Sequence, residues 1–280
     1  MLQGNVKWFA HAPAQKIVPP HDATINRPTH LMEPAHIIRD AIAEVQRLRL
    51  ESESQQSLSE AVSAVKHFQS RRFAATYQDL LAGGPYQTAA QFFLSELYGD
   101  ANYSTRDAQF ARIADAIQRL LPKAAVATAV SLAQLHVLTE RMDLAMGHSW
   151  IQDKPLQNST GMSALYTRAW RLTGDEQSRR QQLQLVLEIG RDINTLTRTP
   201  GLRLVLKMMR GPAHAAGLAD LQHFLELGFD TFSTMGRRKG ATDTFLQLIE
   251  QRETEMIKAL FADNPKVAGD YLALMEKVDL

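Results

Sequence analysis

The chain has 280 residues, 45% of them hydrophobic and 22% charged, enough apolar material for one large domain or two ordinary ones. Its 31 lysines and arginines stand against 30 aspartates and glutamates, and a net charge of +1 provides no overall field to gather nucleic acid or an anionic membrane surface. The absence of cysteine excludes disulfides, thiolate metal sites and a cysteine nucleophile.

Residues 1–31 show neither a helical nor an alternating period and read as a disordered N-terminal arm. Their GNVKWFA is similar, over about six residues, to the opening strand of a cold-shock domain. The second aromatic motif of that family does not follow, and Pro13, Pro19 and Pro20 interrupt any strand, so no nucleic-acid binding is expected. Translation from Met32 in place of Met1 is an equal reading, because the regular pattern begins just after it. The N-terminus lacks the basic start, apolar core and small-residue cleavage site of a secretory signal. No apolar run approaches the roughly 20 residues that cross a bilayer. The expectation is a cytoplasmic protein without membrane insertion.

From Pro34 onward the period is helical and no stretch alternates at period two, which predicts an all-α fold of about nine or ten helices over 32–280. Gly83-Gly84-Pro85, Gly99-Asp100, Pro122, Gly147 to Asn158, Gly174-Asp175, Pro200-Gly201, Gly211-Pro212, Gly236 to Gly240 and Asn264-Pro265 punctuate it. In QFFLSELYGDANYSTRD, Phe93 and Leu97 lie one turn apart and should share a buried face, with Gly99 ending the helix. Ser104 is the expected N-cap of the next helix and Asp107 its first-turn acid. Tyr98 and Arg106 remain as candidate ligand contacts. Phe110, Ile113, Ala114, Ile117, Leu120 and Leu121 then follow as one face of one helix.

In LHVLTERMD, spacings of four and three place His136, Glu140 and Asp143 on one face, continuing the stripe of Ala129, Leu132 and Ala133. An imidazole and two carboxylates so placed suit a divalent metal or a base with its orienting acid; the plainer reading is a helix face turning out of the core. GHSWIQDKPLQNST, 147–160, is the least regular internal stretch. It is either a lid or the boundary of a subdivision, and a single domain is the preferred reading.

Arg191, Arg198, Arg203, Lys207 and Arg210 form a basic group before Gly211-Pro212, where an anion would suit the arginines and a helix start. Asp220, His223, Glu226 and Asp230 share a helix face, with the carboxylate and histidine spacing that di-iron bundles use. A complete site would need further glutamates, for which Glu96 and Glu188 are the interior candidates. Leu218, Leu221, Leu225, Gly228 and Phe232 supply that helix with its apolar stripe, and Phe245, Leu248, Ile249 and Met256 supply the next. No Gly-x-Ser-x-Gly elbow or glycine-rich phosphate loop is present.

The blocks RFAATYQDLLAGGPYQTAAQFFLSELYGDANYSTRDAQFARI, LAQLHVLTERMDLAM and MRGPAHAAGLADLQHFLELGFDTF resemble a family of uncharacterised bacterial all-helical proteins. The resemblance implies a bacterial, helical protein and transfers no catalytic residue.

The function expected from the sequence is a non-catalytic binding or regulatory scaffold, with Tyr98, Arg106, Arg198, Arg203 and Arg210 as its candidate ligand contacts. Its partner is a protein or a small ligand, no cofactor is expected, and a homo-oligomer is compatible with the sequence. The alternative is a di-iron-like oxidase or oxygenase binding iron or manganese through His136, Glu140, Asp143, Asp220 and His223.

Overall fold

Pro34 occupies the first turn of the first long helix, where its missing N–H costs nothing, and Ala35, Ile38, Ile42, Val45 and Leu48 fall on its buried side at helical spacing. The computed structural model describes residues 33–97, 103–152, 161–174 and 176–276. The expected N-terminal arm, Tyr98 and the end of the 147–160 stretch lie outside them. The described residues are helical and form no strand. By their contacts Glu33–Leu280 form one compact unit.

In chain order the helices are α1 Pro34–Glu53, α2 Gln56–Thr76, α3 Gln78–Leu81, α4 Gln87–Phe92, α5 Ser104–Arg112, α6 Ala114–Leu120, α7 Lys123–Gln152, α8 Met162–Leu172, α9 Glu176–Leu196, α10 Leu202–Met208, α11 Arg210–Ala215, α12 Ala219–Met235, α13 Ala241–Phe261 and α14 Pro265–Glu276. A π-helical turn, Phe93–Leu97, extends α4. These are more segments than the nine or ten expected. The extra breaks fall at Ser54-Gln55, Tyr77 and Ile113, where no glycine or proline stands, and the break expected at Gly211-Pro212 becomes two, at Met209 and at Ala216 to Leu218, on either side of α11. The stripe from Phe110 to Leu121 is therefore split between α5 and α6, and Leu120 is left exposed.

The 91–107 stretch also differs from expectation. Phe92 and Phe93 are both buried while Leu97 is only partly so, because the π turn re-aims successive side chains. Ser104 is the first helical residue rather than the cap; Tyr103 flanks it and makes no side-chain cap bond. Asp107 does stand in the first turn, as expected, and it is also buried, with partners on other helices.

At about 45 Å, α7 is the axis of the molecule and packs against α1, α2, α8 and α9. Gly147 was expected to punctuate the chain, yet α7 runs straight through it. The glycine is there for close approach: a Cβ would lie 2.5 Å from Val62 Cγ2 and 3.4 Å from the Val62 backbone nitrogen. Val62 is β-branched and cannot swing away easily. Gly147→Ala would gain about 1 kcal/mol of helix propensity but force α7 and α2 apart. A net destabilisation of about 1–2 kcal/mol is expected in chemical denaturation.

Two large apolar clusters result. One holds Ile42, Phe73, Phe93, Ala133, Leu187, Phe232, Phe245 and Ile249; the other holds Val65, Met146, Tyr166, Trp170, Met256 and Leu260. Three helices run through both clusters, and each changes cluster across a polar interval: Lys66 to Arg72 on α2, His136 to Asp143 on α7, and Glu253 on α13.

Candidate functional site

The polar intervals of α2, α7 and α13 come into register and form a charged layer through the interior. At one end, Arg49 of α1 reaches three partners. Its Nη1 lies 2.8 Å from Asp107 Oδ2, its Nη2 lies 2.9 Å from Glu140 Oε1, and the same Nη2 lies 3.2 Å from His136 Nε2. His136 Nε2 is also 2.9 Å from Asp107 Oδ2, so the tautomer decides whether it donates to the carboxylate or accepts from the guanidinium. In the middle, Lys66 donates to Glu140 Oε2 at 2.9 Å and stands 3.9 Å from Asp143 Oδ2, while Gln69 donates to Asp143 Oδ1 at 3.0 Å. Further along, Arg72 Nη1 and Tyr77 Oη each donate to Glu253 Oε1 at 3.0 Å.

Burial favours protonation of Asp107, but the hydrogen bond and charge of His136, then Arg49 and Arg106, outweigh it and hold the carboxyl below its usual range. Burial opposes ionisation of Glu140 too, and there Lys66 and Arg49 prevail, again lowering it. At Asp143 burial wins, and its carboxyl is raised. Burial also pushes the Tyr166 hydroxyl up to about 12 and lowers the Arg179 guanidinium.

The charged layer lines one wall of a cavity of about 620 Å³ that opens to solvent past the exposed Leu120, Val205 and Met209. Most of the remaining wall is apolar, including Phe92, Phe110, Leu132, Val186, Leu225 and Phe229. Arg106 enters it between the rings of Tyr103 and Phe224, 4.1 and 4.4 Å from their centroids, and pairs with Glu96 at 3.0 Å.

The sequence candidates are thus only partly brought together. His136, Glu140 and Asp143 do share the cavity wall, as their spacing requires, but Lys66 stands between the two carboxylates and Arg49 between Glu140 and His136. Among the described residues no group of three or more histidines and acids is placed to hold a metal. Asp220 and His223 are exposed on α12, where Asp220 accepts from Gln109 at 3.1 Å. Glu188, expected to be interior, is also exposed, since it falls on the wet face of α9.

The basic group is likewise dispersed. Arg203 pairs with Asp230 at 2.8 Å, Arg210 donates to Glu226 and Arg198 is exposed, so each arginine meets solvent or a local acid. The Arg210 hydrogen bond holds Glu226 at about 2.

The residues missed by the motif search, Arg49, Arg72, Arg179 and Glu253, carried one available signal. Each is a charge at an apolar-stripe position, as in Ile249-Glu253-Met256 on α13.

No curated protein and no solved structure matches the chain. No described helix is long and apolar enough to cross a membrane. A family model does match: with residues 48–267 covered by it, the chain belongs to the family described as a domain of unknown function, DUF8198.

Proposed function

We propose that this is a non-catalytic binding protein that holds a small, largely apolar ligand in the cavity between its helices. The observation that carries the reading is the cavity itself. About 620 Å³ of space lies among α1, α2, α5, α7, α8, α9 and α12, within the range of sites that accept small molecules.

The chemistry of the wall supports binding over catalysis. Asp107 and Glu140 are committed to cations and held low, which makes them weak bases near neutrality. The oxidase alternative would need carboxylates facing an open centre, and Arg49 and Lys66 stand where that centre would lie. A bacterial cytoplasm is the setting we propose, on the sequence resemblance.

The test is direct. Nile red, a neutral apolar dye, should bind the full chain saturably at about one per molecule. Ala129→Phe, which fills space beside Leu132 and Ala133, should weaken that binding at least tenfold while leaving the circular dichroism spectrum and cooperative unfolding intact. Equal dye affinity in the folded variant would show that the cavity is not the site, and the proposal would fail.

A further inference from the structure

Where the cavity meets the second apolar cluster, three neighbouring side chains keep hydrogen-bond donors that the protein does not use. Tyr166 and Trp170 stand one turn apart on α8, with ring centroids 5.8 Å apart, and the Arg179 guanidinium of α9 lies 3.7 Å over the Trp170 ring. All three line the cavity. The Tyr166 hydroxyl, the Trp170 indole N–H and Arg179 Nε are each buried without a hydrogen-bond partner among the described residues. Orphaned buried donors are uncommon in folded proteins, and three at one place call for an absent acceptor.

Arg179 is the decisive member. It is 3% exposed. Among the described residues no carboxylate lies within ion-pair distance of it, and its only other polar contact is with Met146 Sδ, 3.3 Å from Nη2. The other deep cations of the layer are answered: Arg49 by Asp107 and Glu140, Lys66 by Glu140, Arg72 by Glu253. An aromatic face compensates a buried guanidinium only in part, and a cation kept there without a counter-ion is a standing cost to the fold.

We infer that Arg179, Tyr166 and Trp170 bind the carboxylate of an apolar monocarboxylic acid whose hydrocarbon body fills the rest of the cavity. This deepens the proposal above and rests on it. The geometry favours a monoanion, because Arg179 has no carboxylate at ion-pair distance among the described residues, and the acids Asp143 and Glu253 nearby would repel a dianion more strongly. The donor count fits as well: the two oxygens of a carboxylate accept from the guanidinium, the phenol and the indole together. The apolar lining beyond this corner favours an alkyl or aryl chain over a sugar or a nucleotide.

Dodecanoate, 1-dodecanol and dodecyl phosphate separate the possibilities, titrated calorimetrically into the full chain and into Arg179→Met, Tyr166→Phe and Trp170→Phe. The expected result is saturable dodecanoate binding, at least tenfold tighter than dodecanol and tighter than dodecyl phosphate. Arg179→Met should lose at least tenfold for dodecanoate and little for dodecanol, and each aromatic variant severalfold for dodecanoate alone. Because it removes an unanswered buried charge, Arg179→Met should unfold at the same or a higher temperature than the parent without ligand. If it does not fold, the two aromatic variants carry the same comparison. Dodecanoate binding unchanged in the variants, or dodecanol or dodecyl phosphate bound as tightly as dodecanoate, overturns the carboxylate assignment and leaves the cavity reading standing. If neither dodecanoate nor dodecanol binds, the carboxylate assignment falls; Nile red then decides the cavity reading separately.

Discussion

Glu253→Ala is expected to lower the stability of the folded chain by about 3–5 kcal/mol, measured by guanidinium denaturation. The side chains of Arg72 and Glu253 are 3% and 5% exposed, and their ion pair joins the middle of the core. Removing the carboxylate takes the Glu253 counter-ion from the guanidinium and one acceptor from the Tyr77 hydroxyl. The loss is chiefly the cost of a buried charge deprived of that ion pair, so it should largely vanish when the charge is removed as well. Arg72→Met combined with Glu253→Leu, two apolar side chains of similar volume, should recover most of the stability. A double variant as unstable as Glu253→Ala would mean that shape rather than charge decides at this position.

Phe93→Ala should cost a similar amount, about 3–5 kcal/mol, for an unrelated reason. Phe93 is 2% exposed. It packs edge-on to Phe245 at 5.4 Å and lies 6.3 Å from Phe92 and 6.5 Å from Phe73, so it ties the π turn to α2 and α13. Deleting the ring removes those contacts and leaves a void that three other large rings cannot collapse to fill. Phe93→Leu, which keeps most of the volume, should lose less than half as much in the same denaturation series. Equal losses for the two substitutions would show that ring contacts, not volume, hold the turn in place.

How far each feature was legible in the sequence depends on the range of the force that makes it. The stripes on α12 and α13 could be read because helical burial follows a short period, and Leu221, Phe232, Phe245 and Ile249 are buried where that period puts them. The breaks at Tyr77 and Ile113 could not, since no glycine or proline marks either. Gly147 misled for a related reason. A glycine that ends a helix and one that lets a neighbouring helix approach look alike along the chain, and only Val62 distinguishes them.

The candidate site followed the same division. His136, Glu140 and Asp143 were visible as a helix-face pattern, but Arg49, Lys66 and Asp107, which determine what those three do, come from other helices. Asp107 is the first-turn acid that local electrostatics displayed, but its partners His136 and Arg49 lie 29 and more positions away.

The pairing of Arg72 with Glu253 spans 181 positions of chain. A ribosome adds on the order of 5–20 residues per second, so roughly 10 to 40 s pass between the making of the two side chains. Through that interval α2 carries a guanidinium on the face it shares with Val65 and Phe73, and the carboxylate that answers it does not yet exist. Water has to solvate that face until α13 emerges. The earliest long helices therefore leave the ribosome well before the interior they belong to can close, and the nascent chain depends on its last hundred residues to complete what its first hundred began.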